Sequence, residues 1–288
     1  MTPSHPPTDA DRQREAVRRY YDFNTAFFRL FGGDRGTQTV HRSVWAAGVT
    51  SLDAALSFSN TLVLEQARRL TVEHPVLGDL GCGTGGTLLY LAPRLERAFA
   101  AVGVTLSPVQ AQQARRNLAP YPHCATLVGD FQRLPLPDAA LDLAFSIEAF
   151  IHAPNPNRYL SEAARVTRPG GRLFLCDDFL TEARPVRADE QTLLEEYRTG
   201  WLASALLPAG DVIERAGAFG LRLIERRDLT PHLKLRALPS ALARGLLGLR
   251  RALGFSAAIA TSTTGSVALQ QCLASGAIVY QTLLFERV

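Results

Sequence analysis

From residue 76 onward the chain alternates between two rhythms. Runs that are apolar at nearly every position, VLGDLG (76–81), AAVGVTL (100–106), CATLVGD (124–130), LDLAFSI (141–147) and GRLFLCDDF (171–179), are separated by segments with apolar residues at helical spacing. Strands that are apolar throughout are buried on both faces, as in a parallel sheet covered by helices. LRLIERRDLT and AIVYQTLLFERV predict two further strands. The helices between them carry readable signals. Pro108 opens PVQAQQARRNLA in the first turn, where the missing N–H costs nothing. NPNRYLSEAARVT runs to Arg168-Pro169-Gly170-Gly171, and DVIERAGAFG is expected to be capped by Asp211 and stopped by Gly220. The pattern predicts an α/β fold with a doubly wound, mainly parallel, seven-stranded sheet.

The rest of the chain lacks that rhythm. Residues 1–10 are Pro- and Ser-rich and read as a disordered terminus. Residues 11–75 read as a helical cap, with one helix from Asp11 to about Phe31 and another from Ser51 to Leu70. The core spans 76–288 and is interrupted by helical insertions at about 180–209 and 232–275, the first of which would form a lid.

Composition narrows the function classes. Of 288 residues, 47% are hydrophobic and 20% charged, an ordinary globular balance. The net charge of +4 comes almost wholly from arginine, Lys234 being the only lysine. No basic run is interleaved with aromatics, which argues against nucleic-acid binding. No apolar run is long enough for a membrane span and the first residues lack an apolar leader, so a cytoplasmic protein is expected. Cys82, Cys124, Cys176 and Cys272 show no metal-ligand spacing and read as buried thiols. A homo-oligomer is left open.

The first strand ends in DLGCGTGG (79–86), which fits GxGxxG through Gly81, Gly83 and Gly86. Glycines let a backbone approach a ligand closely at the carboxyl end of a strand. A dinucleotide site would want an acid at the end of the second strand, but that strand ends GVTLS, with Thr105 at the place. DLGCGTG instead closely resembles the first motif of class I methyltransferases, which have a Rossmann-like fold and use S-adenosylmethionine. The resemblance implies cofactor contacts at Asp79, Gly81, Gly83, Leu106 and Ile147. It also implies Asp130 and Phe131 against the adenine, and Thr105 with Gln110 on the ribose, as in cyclopropane fatty acid synthases.

Two other stretches narrow the family. YYDFNTAFFRLFGGDRGTQT is similar to the N-terminal region of mycolic acid cyclopropane synthases, implicating Tyr21 at the carboxylate of the cofactor. SIEAFIHAP (146–154) resembles the segment after strand four of sterol C-methyltransferases. Geranyl diphosphate C-methyltransferases carry a glutamate at the position of Glu148. Cyclopropane synthases have a glycine there and a glutamate aligned with Ile151, where they hold bicarbonate. The resemblance implies methyl transfer to an alkene carbon of a small apolar molecule: an isoprenoid, a prenyl diphosphate or a sterol-like compound. Glu148 would then remove a proton from the carbocation. Aromatic rings would line that cation, with Phe145, Phe150, Phe179, Tyr197 and Trp201 as candidates. If the substrate is a diphosphate, Mg2+ and arginines are required, and His41, Arg42, Arg184, Arg187 and Arg198 are the candidates. The alternative is a small-molecule O-methyltransferase in which His152 is the general base, oriented by Asp177 or Asp178.

Overall fold

The computed structural model describes residues 12–22, 41–235 and 258–288. The expected disordered terminus therefore lies outside the described residues. Seven strands form one sheet: β1 (Val76–Leu80), β2 (Ala100–Thr105), β3 (Cys124–Val128), β4 (Leu141–Ile147), β5 (Thr167–Leu180), β6 (Leu221–Asp228) and β7 (Ile278–Arg287). Their order is β3-β2-β1-β4-β5-β7-β6. The first five are parallel, and β7 enters antiparallel between β5 and β6. Chain order reverses between β1 and β4. A crevice opens at the carboxyl ends of the strands at such a switch point, and ligands bind there.

Side-chain alternation sorts the apolar strands onto two faces. Leu143, Phe145, Ile147, Phe174 and Cys176 face one core, together with Leu62, Val63, Leu88 and Leu91. Ala144, Leu173, Leu175 and Phe179 face the other, with Tyr159, Leu160, Val212 and Ala216. The first face is covered by α3 (Phe58–Arg68), which follows the short α2 (Leu52–Leu56), and by α4 (Gly86–Leu91). The second is covered by α6 (Pro156–Val166) and α8 (Ala209–Gly217), while α5 (Pro108–Leu118) flanks β2 and β3. A helix α1 occupies 12–22.

Several boundaries depart from the sequence expectation. The helix expected over 51–70 is two helices meeting at Ser57, whose backbone is αR at φ −89° and ψ 0°. In TLLYLAPRLERA the helix stops at Leu91, just before Pro93, which lacks the N–H that would continue it. Arg97 instead turns back and donates to the carbonyls of Ala67, Leu70 and Val72, closing the end of α3. Asp211 does not cap α8. That helix begins at Ala209 behind Pro208, so Asp211 lies in its first turn, where a carboxylate still favours the dipole. The helix α6 stops at Val166, just before Arg168 as expected, but the strand starts sooner, so Arg168–Gly171 already lies inside β5.

The segment read as a helical insertion over 180–209 contains one helix, α7 (Ala188–Trp201). It packs on α9 (Ala258–Ser275) through Leu194, Tyr197, Ala268, Leu269 and Cys272. The two helices approach closely, since a Cβ built on Gly265 would lie 2.9 Å from the Gly200 Cα. Arg184 ties them together, pairing with Glu190 at the start of α7 and donating to the Ser275 carbonyl at 2.8 Å. Side-chain hydrogen bonding from Arg184 holds the Glu190 carboxyl down at about 2. The helix pair roofs the carboxyl edge of the sheet. Among the described residues, no helix is long and apolar enough to cross a membrane.

Candidate active site

A cavity of about 360 Å³ opens at the carboxyl ends of β1, β2, β3 and β4, beneath α7, α9 and α1. Its floor is the glycine loop. The N–H groups of Gly81 and Cys82 both bond the Val104 carbonyl, folding the chain tightly off β1. Gly81 has φ +114°, and a Cβ there would lie 2.4 Å from the Ala149 Cβ. Gly83, at φ +51°, also occupies the left-handed region. Asp79 precedes the loop, is buried, and lines the cavity. No described residue donates to its carboxylate, and burial pushes its pKa up to about 8.

The next two strand ends add polar groups of a different kind. Ser107 caps α5, its hydroxyl accepting from the Gln110 N–H at 3.0 Å. The cap sets Gln110 one turn into the helix, where its amide oxygen accepts from the Thr105 hydroxyl at 2.9 Å. The pair expected at the ribose is therefore assembled, with Leu106 beside it on the cavity wall. After β3, Asp130 accepts from the Gln132 N–H at 2.8 Å, and Phe131 stands edge-on to Tyr159 at 5.1 Å between ring centroids. Both line the cavity, as does Ile147 at the end of β4. An orphaned buried carboxylate, a glycine cradle, a hydroxyl–amide pair and an acid beside an aromatic ring thus follow one another along three consecutive strand ends. They fit a ligand with a cationic head, a ribose and a purine, which is the form of S-adenosylmethionine.

Helix α1 closes this side of the cavity. Arg14 lies 3.6 Å from Asp130, and Asp22 accepts from the Ser107 hydroxyl. Tyr21 lines the cavity, with its hydroxyl 2.7 Å from His152 Nε2.

Glu148 follows β4 with φ +50°, a conformation uncommon for a residue bearing a side chain and often found where function holds it. Its N–H is anchored to the Cys176 carbonyl at 2.8 Å. Its Oε1 accepts from the Arg42 backbone N–H and from the Tyr280 hydroxyl, each at 2.9 Å. Glu148 lines the cavity, and no described residue donates to Oε2.

His152 also reaches the cavity, from the short 3-10 turn Phe150–His152. Neither Asp177 nor Asp178 orients it. Asp177 accepts from the N–H groups of Ile151 and Asp178, while Asp178 is held by the Arg42 guanidinium and the Tyr197 hydroxyl. The imidazole has Tyr21 at Nε2 and the Leu202 carbonyl 3.4 Å from Nδ1. Burial pushes its pKa down to about 4. It is a neutral ring near pH 7 and a weak base.

The aromatic candidates divide. Tyr197 and Trp201 line the cavity from α7. Phe150 and Phe179 do not. The turn after β4 rotates Phe150 onto the opposite core, 5.0 Å from Tyr159, and Phe179 lies on the same core with Leu173 and Leu175. Phe145 is buried in the first core. The arginines assigned to a phosphate end are engaged elsewhere. Arg42 is locked on Asp178, Arg184 and Arg187 pair with Glu190, and Arg198 donates to the Leu206 carbonyl. Of these only Arg42 lines the cavity. Sequence reasoning missed Tyr280 altogether. Its one signal was a phenol within the otherwise apolar start of the final strand.

The family model for the methyltransferase domain matches residues 78–175, from β1 into β5. A probable tocopherol O-methyltransferase, chloroplastic, of Oryza sativa subsp. japonica is 31% identical over 157 residues, covering 52% of this chain and 43% of that protein. A 24-methylenesterol C-methyltransferase 2 of Arabidopsis thaliana is 30% identical over 155 residues, covering 52% of this chain and 42% of its own length. The chain thus spans about half the length of these curated relatives or less. Among solved structures, geranyl diphosphate C-methyltransferase from Streptomyces coelicolor A3(2), bound to Mg2+, geranyl diphosphate and S-adenosyl-L-homocysteine, is similar with a TM-score of 0.70. The identity is 17%, covering 98% of this chain and 100% of that one, so the likeness is one of fold. Motif, topology and family match agree: residues 78–175 match a methyltransferase domain, set in a Rossmann-like methyltransferase fold.

Proposed function

We propose that this protein transfers a methyl group from S-adenosylmethionine to an alkene carbon of an uncharged, apolar small molecule, with Glu148 as the base. The observation that carries the reading is the Glu148 carboxylate. It is held at Oε1 by two donors, receives none at Oε2 from the described residues, and is presented to the cavity by a left-handed backbone. When bound, S-adenosylmethionine supplies an electrophilic methyl group on a sulfonium. The alkene π pair forms the new carbon–carbon bond while the methyl–sulfur pair stays with sulfur, leaving a cation on the neighbouring carbon. Glu148 Oε2 takes a proton from a flanking C–H, and that bonding pair restores the alkene. Tyr197 and Trp201 offer ring faces to the cation, each worth about 0.5–2 kcal/mol.

The cavity supports a neutral substrate. Its described arginines are already paired: Arg14 with Asp130, Arg18 with Glu15 and Asp22, and Arg42 with Asp178. Among the described residues no group of three or more His, Cys, Asp or Glu is arranged to hold a metal. The sterol C-methyltransferase relative points to the same class of substrate. The relative named for oxygen methylation keeps His152 in play as the rival base, but its low pKa and its Tyr21 contact make it the weaker one. Methyl-labelled S-adenosylmethionine, offered with sterols, prenyl alcohols, prenyl diphosphates and phenols, tests the reading. Label on carbon in a neutral alkene is expected, and label on oxygen alone overturns it.

We assign Asp79 to the amino group of the cofactor. Its carboxyl, with a pKa of about 8 in the free protein, is mostly protonated at pH 7, and an adjacent ammonium favours the charged form. Binding of S-adenosylhomocysteine at pH 7 is therefore expected to release about one proton. Affinity rises as pH climbs toward 8. Calorimetry in buffers of differing ionisation enthalpy measures the release, and Asp79→Asn should abolish it. Release that persists in the variant would place the proton elsewhere.

A further inference from the structure

The two donors on Glu148 Oε1 belong to one clamp. Tyr280 lies opposite Asp178 across the β5–β7 ladder and is fully buried. The Arg42 guanidinium covers the Tyr280 ring, 4.8 Å from its centroid, and is itself fixed by Asp178. Arg42 thus donates its own N–H to Oε1 and locks the ring whose hydroxyl makes the second bond. On the far side the Tyr280 hydroxyl meets Cys176 Sγ at 3.1 Å and Ser59 Oγ at 3.3 Å. Both residues are fully buried, so this chain of polar groups ends in the core. A proton arriving at Glu148 has no exit through Tyr280.

Building on the base role argued above, we propose that Tyr280 is a positioning residue for Glu148. With the Arg42 N–H it saturates Oε1 and turns Oε2, which no described residue engages, toward the substrate C–H. Burial, with Cys176 and Glu148 nearby, pushes the Tyr280 phenol well above its usual range, which keeps the hydroxyl a donor. A donor to a carboxylate favours its ionised form, so loss of that donor is a change that a pH profile reads.

Tyr280→Phe keeps the ring under Arg42 and removes only the hydroxyl. The assay uses methyl-labelled S-adenosylmethionine and whichever neutral alkene of the panel accepts label. We expect kcat to fall about tenfold with KM within about twofold, and the acid limb of the kcat profile to move up by about one pH unit. Difluorotyrosine at 280, a stronger donor of nearly the same size, should move that limb down and does not depend on the phenylalanine variant folding. An acid limb unmoved by both changes at 280, in an enzyme inactivated by Glu148→Gln, overturns the role of Tyr280 alone. Full activity of Glu148→Gln overturns the base assignment beneath it.

Discussion

Glu148→Gln is expected to lower kcat by about 10²–10⁴-fold, the usual contribution of a positioned general base. Affinity for S-adenosylhomocysteine should stay within about threefold of the parent. The two effects separate because of how the side chain is held. Glutamine matches the size of glutamate, and its amide oxygen still accepts from the Arg42 N–H and the Tyr280 hydroxyl. What it loses is the acceptor at the Oε2 position. Cofactor contacts are assigned to other strand ends, at Asp79, Thr105, Gln110 and Asp130, none of which bonds Glu148. Steady-state kinetics and calorimetry on the same preparation check both halves. A variant that loses S-adenosylhomocysteine binding along with turnover would make Glu148 a cofactor ligand. His152→Asn supplies the contrast and should change kcat by less than about tenfold, since a neutral imidazole with its Nε2 against Tyr21 is not set up as the base.

Removal of the Arg42 guanidinium should have the largest effect on stability. In Arg42→Met, Asp178 keeps only the Tyr197 hydroxyl, and its side chain is 1% exposed. A buried charge stripped of its partner costs about 3–5 kcal/mol. For a chain of this size that lowers Tm by on the order of 10 °C. Asp178→Asn added to Arg42→Met removes the stranded charge while leaving an acceptor for Tyr197. The double variant is expected to recover at least half of the loss, a non-additivity that thermal denaturation measures directly. Equal stability of the single and double variants would show that the pair contributes little.

That the residues assigned to the cofactor would share one cavity was legible because each is local in sequence. Asp79, Thr105 and Asp130 each stand at or just beyond a strand and beside the motif that positions them. Ser107 and Gln110 are joined by a single helical turn. Glu148 and His152 were legible for the same reason, as polar residues following an apolar strand. Orientation was not. A 3-10 turn separates Phe150 from the cavity by one residue, and the alternation of β5 sends Phe179 to the core opposite the one that receives Cys176. The holders of Glu148 were the least visible, since Arg42 and Tyr280 lie 106 and 132 residues away from it in sequence. Only the insertion of β7 beside β5 brings Tyr280 to that carboxylate, and nothing in the local pattern of the last strand announces its neighbours.

The central claim is that carbon is methylated and that a carbon-bound proton is then removed. The most direct test is the mass of the product formed from trideuteromethyl S-adenosylmethionine and an alkene substrate deuterated on all its carbons. The account predicts a product that gains the trideuteromethyl group and loses one of its own carbon-bound deuterons. A product that gains the methyl group and keeps every carbon-bound deuteron would have lost no proton from carbon and would contradict it.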